Sequence, residues 1–251
     1  MTDESHTQFR NLSFGAFARL ARDPTLSKYE KIGFPDSYRA GYEPAIFADI
    51  RRKLTPLSQK GALIMDIGPG CSDLPLMVVN CCQAAGHELL LIDTQEMLDL
   101  LPNEPLITKI RGPYPHCKDR LKAYIGRLDA ILCYSVLQYI FAEGNVFEFL
   151  DVSLELLAQG GSMLIGDIPN ESMRRRFLSS EVGTAFHQRH HGPGTRPEIN
   201  VMGTMEGKID DTVILALLAR ARAAGAHAYV LEQGADLPMA NRREDILIRK
   251  P

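Results

Sequence analysis

An aspartate and two glycines stand where an apolar run of this sequence ends. The segment 65–72 reads Met-Asp-Ile-Gly-Pro-Gly-Cys-Ser, so Asp66 is followed by Gly68 and Gly70. The run before Asp66 predicts a buried strand, and the residues after Gly70 predict the start of a helix. Such a turn collects backbone N–H groups and the positive end of a helix dipole at one point. Because glycine lacks a Cβ, a ligand can approach this backbone closely, and we expect a cofactor here.

The charges around this turn favour a zwitterionic cofactor over a dinucleotide. A G-x-G-x-x-G fingerprint that starts at Gly68 needs a third glycine at position 73, where the sequence has Asp73. The Asp73 carboxylate would face a pyrophosphate, which is unfavourable. Asp66 instead suits an ammonium group, while the N–H groups of the turn suit a carboxylate. S-adenosylmethionine carries both groups.

A second acid ends the next apolar run, Glu88–Asp93. Asp93 follows the glycine turn by about 20 residues, and in a doubly wound sheet this position lies beside a ribose. A carboxylate there can accept hydrogen bonds from both ribose hydroxyls. The alternative is an aspartate that caps the helix beginning near Thr94.

Three segments together resemble the class I S-adenosylmethionine-dependent methyltransferases. Segment 65–72 resembles their motif I, with Ser72 where a third glycine often stands, Asp93 matches their acid after strand two, and Ser135–Ile140 resembles their segment after strand four. No acid follows strand three, so the adenine contact is left to loop 112–117. The resemblance implies S-adenosyl-L-methionine as cofactor. The cofactor-binding residues are then Asp66, Gly68, Pro69, Gly70, Asp93, Thr94, Met97, Ser135 and Val136.

The elements that must position these residues form an α/β pattern. From Gly61 onward apolar runs alternate with helices, which predicts a parallel sheet. The last two runs, 227–232 and 245–249, are joined too closely for a crossover helix and should pair antiparallel. We therefore expect a Rossmann-like, seven-stranded, mostly parallel sheet, for which the resemblance implies the order 3-2-1-4-5-7-6. An N-terminal helical cap (1–56) precedes the methyltransferase domain (57–251), which carries a lid-like insertion at about 170–209.

Local patterns make further predictions about the helices and loops. In the cap, one helix lined by Phe14, Phe17, Ala18 and Leu20 should end near Asp23–Pro24. Another should begin near Pro44 and be stopped by Pro56, while Lys28–Pro35 should be a loop. A helix from Val146 to Leu157 should be closed by Gly160 and Gly161. In the insertion, residues 173–177 should be helical, whereas the glycines and prolines of 186–197 predict a mobile loop or lid.

Three residues are candidates for the catalytic base. Asp167 ends strand five at the edge that carries Asp66, Tyr139 lies after strand four, and His190 lies in the insertion. A base is needed only for a hydroxyl or a protonated amine, because the methyl group of a sulfonium is already activated. A structural cap for Asp167 and an ordinary exposed histidine for His190 are the alternatives.

Composition excludes several other classes of function. The net charge is −3, and the 251 residues contain no apolar run of membrane-spanning length and no leader pattern, so we expect a cytoplasmic protein that binds neither nucleic acid nor membrane. The five cysteines lack C-x-x-C spacing. His187, His190 and His191 have helical spacing but no carboxylate pair nearby, and we expect no metal.

The expected function is methyl transfer to a small polar metabolite. The arginines at 174–176 and the polar lid suggest a hydroxyl of a sugar-like acceptor. The favoured interpretation of these arginines is a solvated helix face, and the alternative is contact with a phosphate or carboxylate of the substrate. A non-catalytic S-adenosylmethionine-binding or scaffold protein, an RNA or protein methyltransferase and a nicotinamide-dependent oxidoreductase stay open as alternatives. The oligomeric state also stays open and includes a homodimer.

Overall fold

A sheet forms the centre of the part of the chain that the computed structural model describes, residues 12–197, 199 and 207–251. Seven strands pair in the order β3-β2-β1-β4-β5-β7-β6. The strands are β1 (Leu63–Ile67), β2 (Glu88–Asp93), β3 (Ile107–Arg111), β4 (Leu128–Tyr134), β5 (Leu157–Pro169), β6 (His227–Glu232) and β7 (Arg243–Arg249). This order confirms the predicted fold class.

The direction of the strands determines where a site can form. β1 pairs in parallel with β2 and β4, β2 with β3, and β4 with β5, while β7 is antiparallel to both β5 and β6. The carboxyl ends of β1, β2, β4 and β5 therefore meet at one edge. In open sheets of this kind, ligands bind at that edge.

Helices cover both faces of the sheet, which explains why its central strands are uninterrupted apolar runs. The helices are α1 (Phe14–Arg22), α2 (Lys28–Lys31), α3 (Asp36–Arg39), α4 (Glu43–Lys53), α5 (Asp73–Ala85), α6 (Gln95–Asp99), α7 (Leu137–Glu143), α8 (Val146–Leu156), α9 (Glu171–Leu178), α10 (Glu181–His191) and α11 (Asp211–Ala223). On one face the core includes Phe149 and Leu217, and on the other it includes Ile46 and Val78. None of these helices combines the length and apolar character needed to cross a bilayer.

The described part of the N-terminal region is mainly helical, and the predicted loop at Lys28–Pro35 is wrong over residues 28–31, which form helix α2. Helix α2 begins there because Ser27 accepts a hydrogen bond from the Glu30 N–H and the Glu30 side chain accepts one from the Ser27 N–H. This reciprocal pair is a capping box, and its Ser-x-x-Glu pattern is visible in the sequence. The two predicted helices, one ending near Asp23 and one beginning near Pro44, correspond to α1 and α4. Residues 1–11 of the predicted cap lie outside the described residues.

The insertion contains more helix than predicted. Residues 173–177 lie in α9, and α10 continues through Phe186 to His191, so the prediction of a loop from 186 is wrong over that stretch. Ser180 caps the N-terminus of α10, and Gly192 follows its last residue. Residues 198 and 200–206 of the predicted lid lie outside the described residues.

Gly160 and Gly161 lie in strand β5 and do not close helix α8, which corrects that prediction. Helix α8 ends at Leu156 and β5 begins at the next residue. The Gly160 N–H donates to the Lys250 carbonyl at 3.0 Å, so this stretch continues the pairing of β5 with β7. A Cβ on Gly161 would lie 2.7 Å from the Leu128 carbonyl oxygen, so a glycine is required there by close backbone packing.

Candidate active site

A cavity of about 280 Å³ lies at the carboxyl edge of the sheet. Its walls come from the N-terminal helical region, from the ends of β1, β2 and β4 with the segments that follow them, and from the loop after β3. The lining residues include Phe14, Phe17, Ile32, Phe34, Arg39, Gly68, Pro69, Gly70, Asp93, Met97, Tyr114, His116, Ser135, Val136, Tyr139 and Glu143. Most of these are apolar or aromatic, which suits a cavity that must exclude water.

The turn between β1 and α5 needs glycine for two separate reasons. Gly68 and Gly70 both have φ of +68°, a conformation that other residues adopt only with strain. A Cβ on Gly68 would lie 2.7 Å from a Val136 methyl carbon, and one on Gly70 would lie 2.5 Å from a methyl carbon of Ile32. The turn is therefore packed tightly between the segment after β4 and the N-terminal region.

Two buried carboxyl groups lie behind this turn. Burial, reinforced by the charge of Asp93, raises the pKa of Asp66 to about 8. Burial also raises the pKa of Asp93, but hydrogen bonds from the Thr94 and Gly70 N–H groups limit the rise to about 6. The Asp66 carboxyl has no hydrogen-bond partner among the described residues, whereas Asp93 accepts the Gly70 N–H at 3.0 Å. Asp66 is thus a buried acid that lacks a cation.

The segments after β2 and β3 complete one end of the cavity. Thr94 caps α6 by accepting the Met97 N–H at 3.2 Å, so the alternative in which Asp93 is the cap does not hold. Met97 is buried and lines the cavity. Residues 112–116 line it too, and the Tyr114 hydroxyl is anchored by Ser153 at 2.9 Å. This end has no carboxylate from the loop after β3, in agreement with the sequence.

A polar network lies at the other end, where β4 and β5 stop. Ser135 and Asp167 both have positive φ, 61° and 57°, and the Ser135 hydroxyl donates to the Asp167 carboxylate. Arg39 donates to the Ser135 oxygen at 2.9 Å. Arg243 donates to the Asp167 carboxylate at 2.8 Å, and the Asp167 N–H donates to Asp245 at the same distance. Asp167 is therefore held on several sides and is only 3% exposed.

Tyr139 lines the cavity and packs its ring edge-on against Phe17, with ring centroids 4.8 Å apart. Burial raises the pKa of Tyr139 above its ordinary value of 10, against the opposing effect of a hydrogen bond with Gln138. The phenol consequently keeps its proton at neutral pH. In this form it can donate a hydrogen bond to a group in the cavity.

The rim of the cavity is closed by polar contacts from the N-terminal region. Lys28 binds Asp73 at 2.6 Å, and the Tyr29 hydroxyl donates to the same carboxylate at 3.2 Å. The Phe14 N–H donates to Glu143 at 3.0 Å. Exposed ion pairs of this kind contribute little free energy, so they orient the rim more than they stabilise it.

The structure separates the predicted site residues into two groups. The residues that share the cavity wall are Gly68, Pro69, Gly70, Asp93, Met97, Ser135, Val136 and Tyr139. Asp66 and Thr94 are buried just behind that wall, and Asp167 reaches it only through Ser135. His190 is exposed on α10, where its Nδ1 lies 2.9 Å from the Phe186 carbonyl oxygen, and it does not line the cavity.

The histidines of α10 pack on their own helix. The rings of His187 and His191 stack with centroids 4.3 Å apart. Within the described residues no group of three or more histidine, cysteine or acidic side chains is arranged to hold a metal ion.

Arg39 and Phe34 are cavity residues that sequence analysis missed. Arg39 is 4% exposed and is the one lysine or arginine among the described lining residues. Its guanidinium lies 4.6 Å from the centroid of the Phe34 ring. No sequence motif identifies these residues. They line the cavity because the chain folds back there at the short helices α2 and α3, which tertiary packing determines.

Comparisons with known proteins identify the fold. No protein-family model matches the sequence, and no curated protein matches it. Solved structures do match. The plantazolicin methyltransferase BpumL, in complex with a triazolic desmethylPZN analog and SAH, is 13% identical with a TM-score of 0.59, over 99% of each chain.

Two further structures support the same assignment. The N-methyltransferase NodS from Bradyrhizobium japonicum WM9, in complex with S-adenosyl-L-homocysteine, is 14% identical with a TM-score of 0.53, over 95% of this chain and 98% of that one. A SAM-dependent methyltransferase from Archaeoglobus fulgidus is 13% identical with a TM-score of 0.52, over 86% and 97%. At these identities the likeness establishes the fold.

Proposed function

We propose that this chain, which has the fold of the class I S-adenosylmethionine-dependent methyltransferases, transfers a methyl group to a hydroxyl of a small, polar, sugar-like acceptor. The observation that carries the proposal is the cavity, in which the glycine turn, Asp93 and the Ser135–Val136 segment share one wall. In this proposal residues 1–56 cap the cavity, and the insertion at about 170–209 forms a lid.

The residues of the cavity fit the groups of S-adenosylmethionine. Asp66 is a buried acid without a cation, which matches the ammonium group, and Arg39 is a buried cation on the cavity wall, which matches the carboxylate. Asp93 would accept the ribose hydroxyls at the end of β2. Met97 and the loop 112–116 would enclose the adenine in place of the missing acid.

The cofactor supplies an activated methyl group on a sulfonium, so the protein has mainly to position the acceptor and exclude water. Phe14, Phe17 and Phe34 line the side of the cavity that comes from the N-terminal region. Their rings make the cavity apolar. A dry cavity also strengthens the interaction of the sulfonium with the buried carboxylates.

Tyr139 and Ser135 are the polar groups best placed to meet an acceptor hydroxyl. Tyr139 keeps its proton and can donate to the acceptor oxygen. Ser135 is fixed by Arg39 and Asp167. Asp167 therefore acts in this proposal as a positioning residue behind Ser135, since its own carboxylate is occupied by Ser135 and Arg243.

Binding of S-adenosylhomocysteine, measured by isothermal titration calorimetry, tests the cofactor assignment. Asp93→Asn should weaken binding by about tenfold to a hundredfold, because a hydrogen bond to a charged group contributes roughly 1.5–3 kcal/mol. Asp99→Asn, an exposed residue at the end of α6, is the matched control and should bind like the wild type.

Equal affinities for the two variants would refute the role of Asp93, and the absence of binding to folded wild-type protein would refute the function. Binding alone does not separate an enzyme from a scaffold. Turnover is therefore measured as methyl transfer from labelled S-adenosylmethionine to a panel of sugars and sugar phosphates. Binding without transfer to any of them would favour the scaffold.

A further inference from the structure

Arg39 is a buried cation that aromatic rings and a serine hold in place on the cavity wall. Its guanidinium lies 4.6 Å from the centroid of the Phe34 ring and 5.7 Å from that of the Tyr134 ring. It donates to the Ser135 hydroxyl oxygen at 2.9 Å, whereas its Nε is buried without a hydrogen-bond partner in the part of the chain that the structure describes. Arg39 therefore keeps an unused donor beside the cavity.

Two acids near Arg39 have other partners. Glu43 accepts the Ser72 hydroxyl at 3.3 Å. Burial raises the pKa of Glu43, and the charge of Arg39 opposes that rise. The Asp167 carboxylate binds Arg243 at 2.8 Å. Within the described residues Arg39 thus makes its hydrogen bond to a neutral hydroxyl and none to an acid, and a buried cation of this kind favours an anionic ligand.

The Phe34 ring is itself fixed by a second arginine. The Arg243 guanidinium lies 5.8 Å from the centroid of this ring, and it donates to the Asp167 carbonyl and carboxylate at 2.9 and 2.8 Å. Phe34 therefore connects Arg39, at the end of α3, to an anchored side chain at the start of β7. The contacts close a ring that runs through Phe34, Arg39, Ser135, Asp167 and Arg243.

We propose that Phe34 is a positioning residue for the cofactor, which by stacking against Arg39 and Arg243 holds the Arg39 guanidinium where the carboxylate of the amino-acid tail binds. This inference rests on the proposed function and deepens it, since it names the residue through which Arg39 recognises the tail. An aromatic face attracts a guanidinium and leaves its N–H groups free for a carboxylate. An acid in the same place would compete with the ligand, and an aliphatic side chain would not attract the charge.

Two ligands separate recognition of the tail from recognition of the rest of the cofactor. S-adenosylhomocysteine and 5′-methylthioadenosine share the adenosine and the thioether, but only the first has the amino-acid tail. In calorimetry of the full chain, wild-type protein should bind S-adenosylhomocysteine more tightly. Phe34→Leu should weaken that binding by about threefold to thirtyfold, the range of a cation–π contact, and should change binding of methylthioadenosine by less than about twofold. Phe34→Tyr keeps an aromatic face and should bind S-adenosylhomocysteine like the wild type.

A matched control and a double-mutant cycle show whether Phe34 acts through Arg39. The control is Phe47→Leu, which removes a similar contact, with Arg51 5.9 Å from the ring centroid, away from the lining of the cavity. It should leave both affinities unchanged. Arg39→Gln should weaken binding of S-adenosylhomocysteine by about tenfold to a hundredfold. Adding Phe34→Leu to Arg39→Gln should then have little further effect, because the contact is already lost.

The outcomes separate this inference from the proposed function. If Phe34→Leu weakened both ligands equally, Phe34 would only shape the cavity, and the inference would be overturned while the function stood. Unchanged affinity for both ligands, or full additivity with Arg39→Gln, would overturn it as well. Wild-type protein that binds methylthioadenosine as tightly as S-adenosylhomocysteine would show that the tail is not recognised. Folded wild-type protein that binds neither ligand would refute the function, and this inference with it.

Discussion

At the scale of single residues, burial of Asp66 raises its pKa and so couples its ionisation to the binding of a cation. Its carboxyl is 4% exposed and has a pKa raised to about 8, chiefly by the loss of water and secondarily by Asp93. At pH 7 it is therefore largely protonated in the free protein. An ammonium group placed beside it would favour the ionised form and drive the proton off.

Binding of S-adenosylmethionine at pH 7 should consequently release a proton from Asp66. The binding enthalpy should then differ between phosphate and Tris buffers in proportion to their ionisation enthalpies, and affinity should rise between pH 6 and 7.5. Asp66→Asn should abolish most of the buffer dependence and weaken binding by about tenfold, equal to about 1.4 kcal/mol. A wild-type enthalpy that is the same in both buffers would contradict this role.

At the scale of elements, the turn between β1 and α5 is constrained by its neighbours as well as by its own backbone. Gly70 and Gly61 share a φ of +68°, but a Cβ on Gly61 would meet nothing within 4 Å, whereas one on Gly70 would lie 2.5 Å from Ile32. A substitution at Gly61 therefore introduces backbone strain alone, whereas one at Gly70 introduces both strain and a steric clash.

Gly61→Ala should lower the free energy of unfolding by about 1–2 kcal/mol, the cost of a left-handed conformation. Gly70→Ala should lower it further and should also weaken binding of S-adenosylhomocysteine, because Ile32 must move. In a double-mutant cycle with Ile32→Ala, measured by urea unfolding, the two changes should cost less together than the sum of their separate costs. Strict additivity would show that crowding plays no part.

An element of the fold could be predicted where its residues form a clear pattern of apolar and turn residues in the sequence. β2 lies where predicted, since a strand buried in a parallel sheet appears as a bounded apolar run. Helix α2 was missed because its four residues are too few for a periodic pattern. Gly160 and Gly161 were misassigned because glycine after a helical pattern usually ends the helix, and here it lies in an extended strand.

Some residues of the candidate site could also be predicted from the sequence, and others could not. The turn, Asp93 and the segment after β4 could be predicted, because they follow strands whose carboxyl ends must meet. Arg39 and Phe34 could not, since each reaches the site through tertiary packing of short helices and turns. Asp167 was located correctly at the sheet edge, but its partners Arg243 and Asp245 come from β7, far along the chain.

At the scale of the whole molecule, one buried lysine joins the N-terminal region to the end of the sheet. Lys53 of α4 binds Asp49 at 2.5 Å, Asp245 of β7 at 2.7 Å and the Glu232 carbonyl of β6 at 2.9 Å. Asp245 is fully buried and also accepts the Asp167 N–H. The ion pair therefore links the N-terminal helices to the network behind Ser135.

Lys53→Met should destabilise the protein by about 3–5 kcal/mol near pH 8, because it leaves the buried Asp245 carboxylate without its cation, whereas Asp49 keeps Arg52. Burial already raises the pKa of Asp245, and Lys53 opposes that rise, so the variant should have a still higher pKa there. An acid whose pKa is raised on folding contributes stability at low pH that is lost as the pH rises through the folded-state pKa. The destabilisation measured by urea unfolding should therefore be smaller at pH 5 than at pH 8. Lys60→Met, at an exposed position, is the control and should show no such difference. If Lys53→Met lowered the free energy of unfolding equally at both pH values, Lys53 would act through packing and not through its charge.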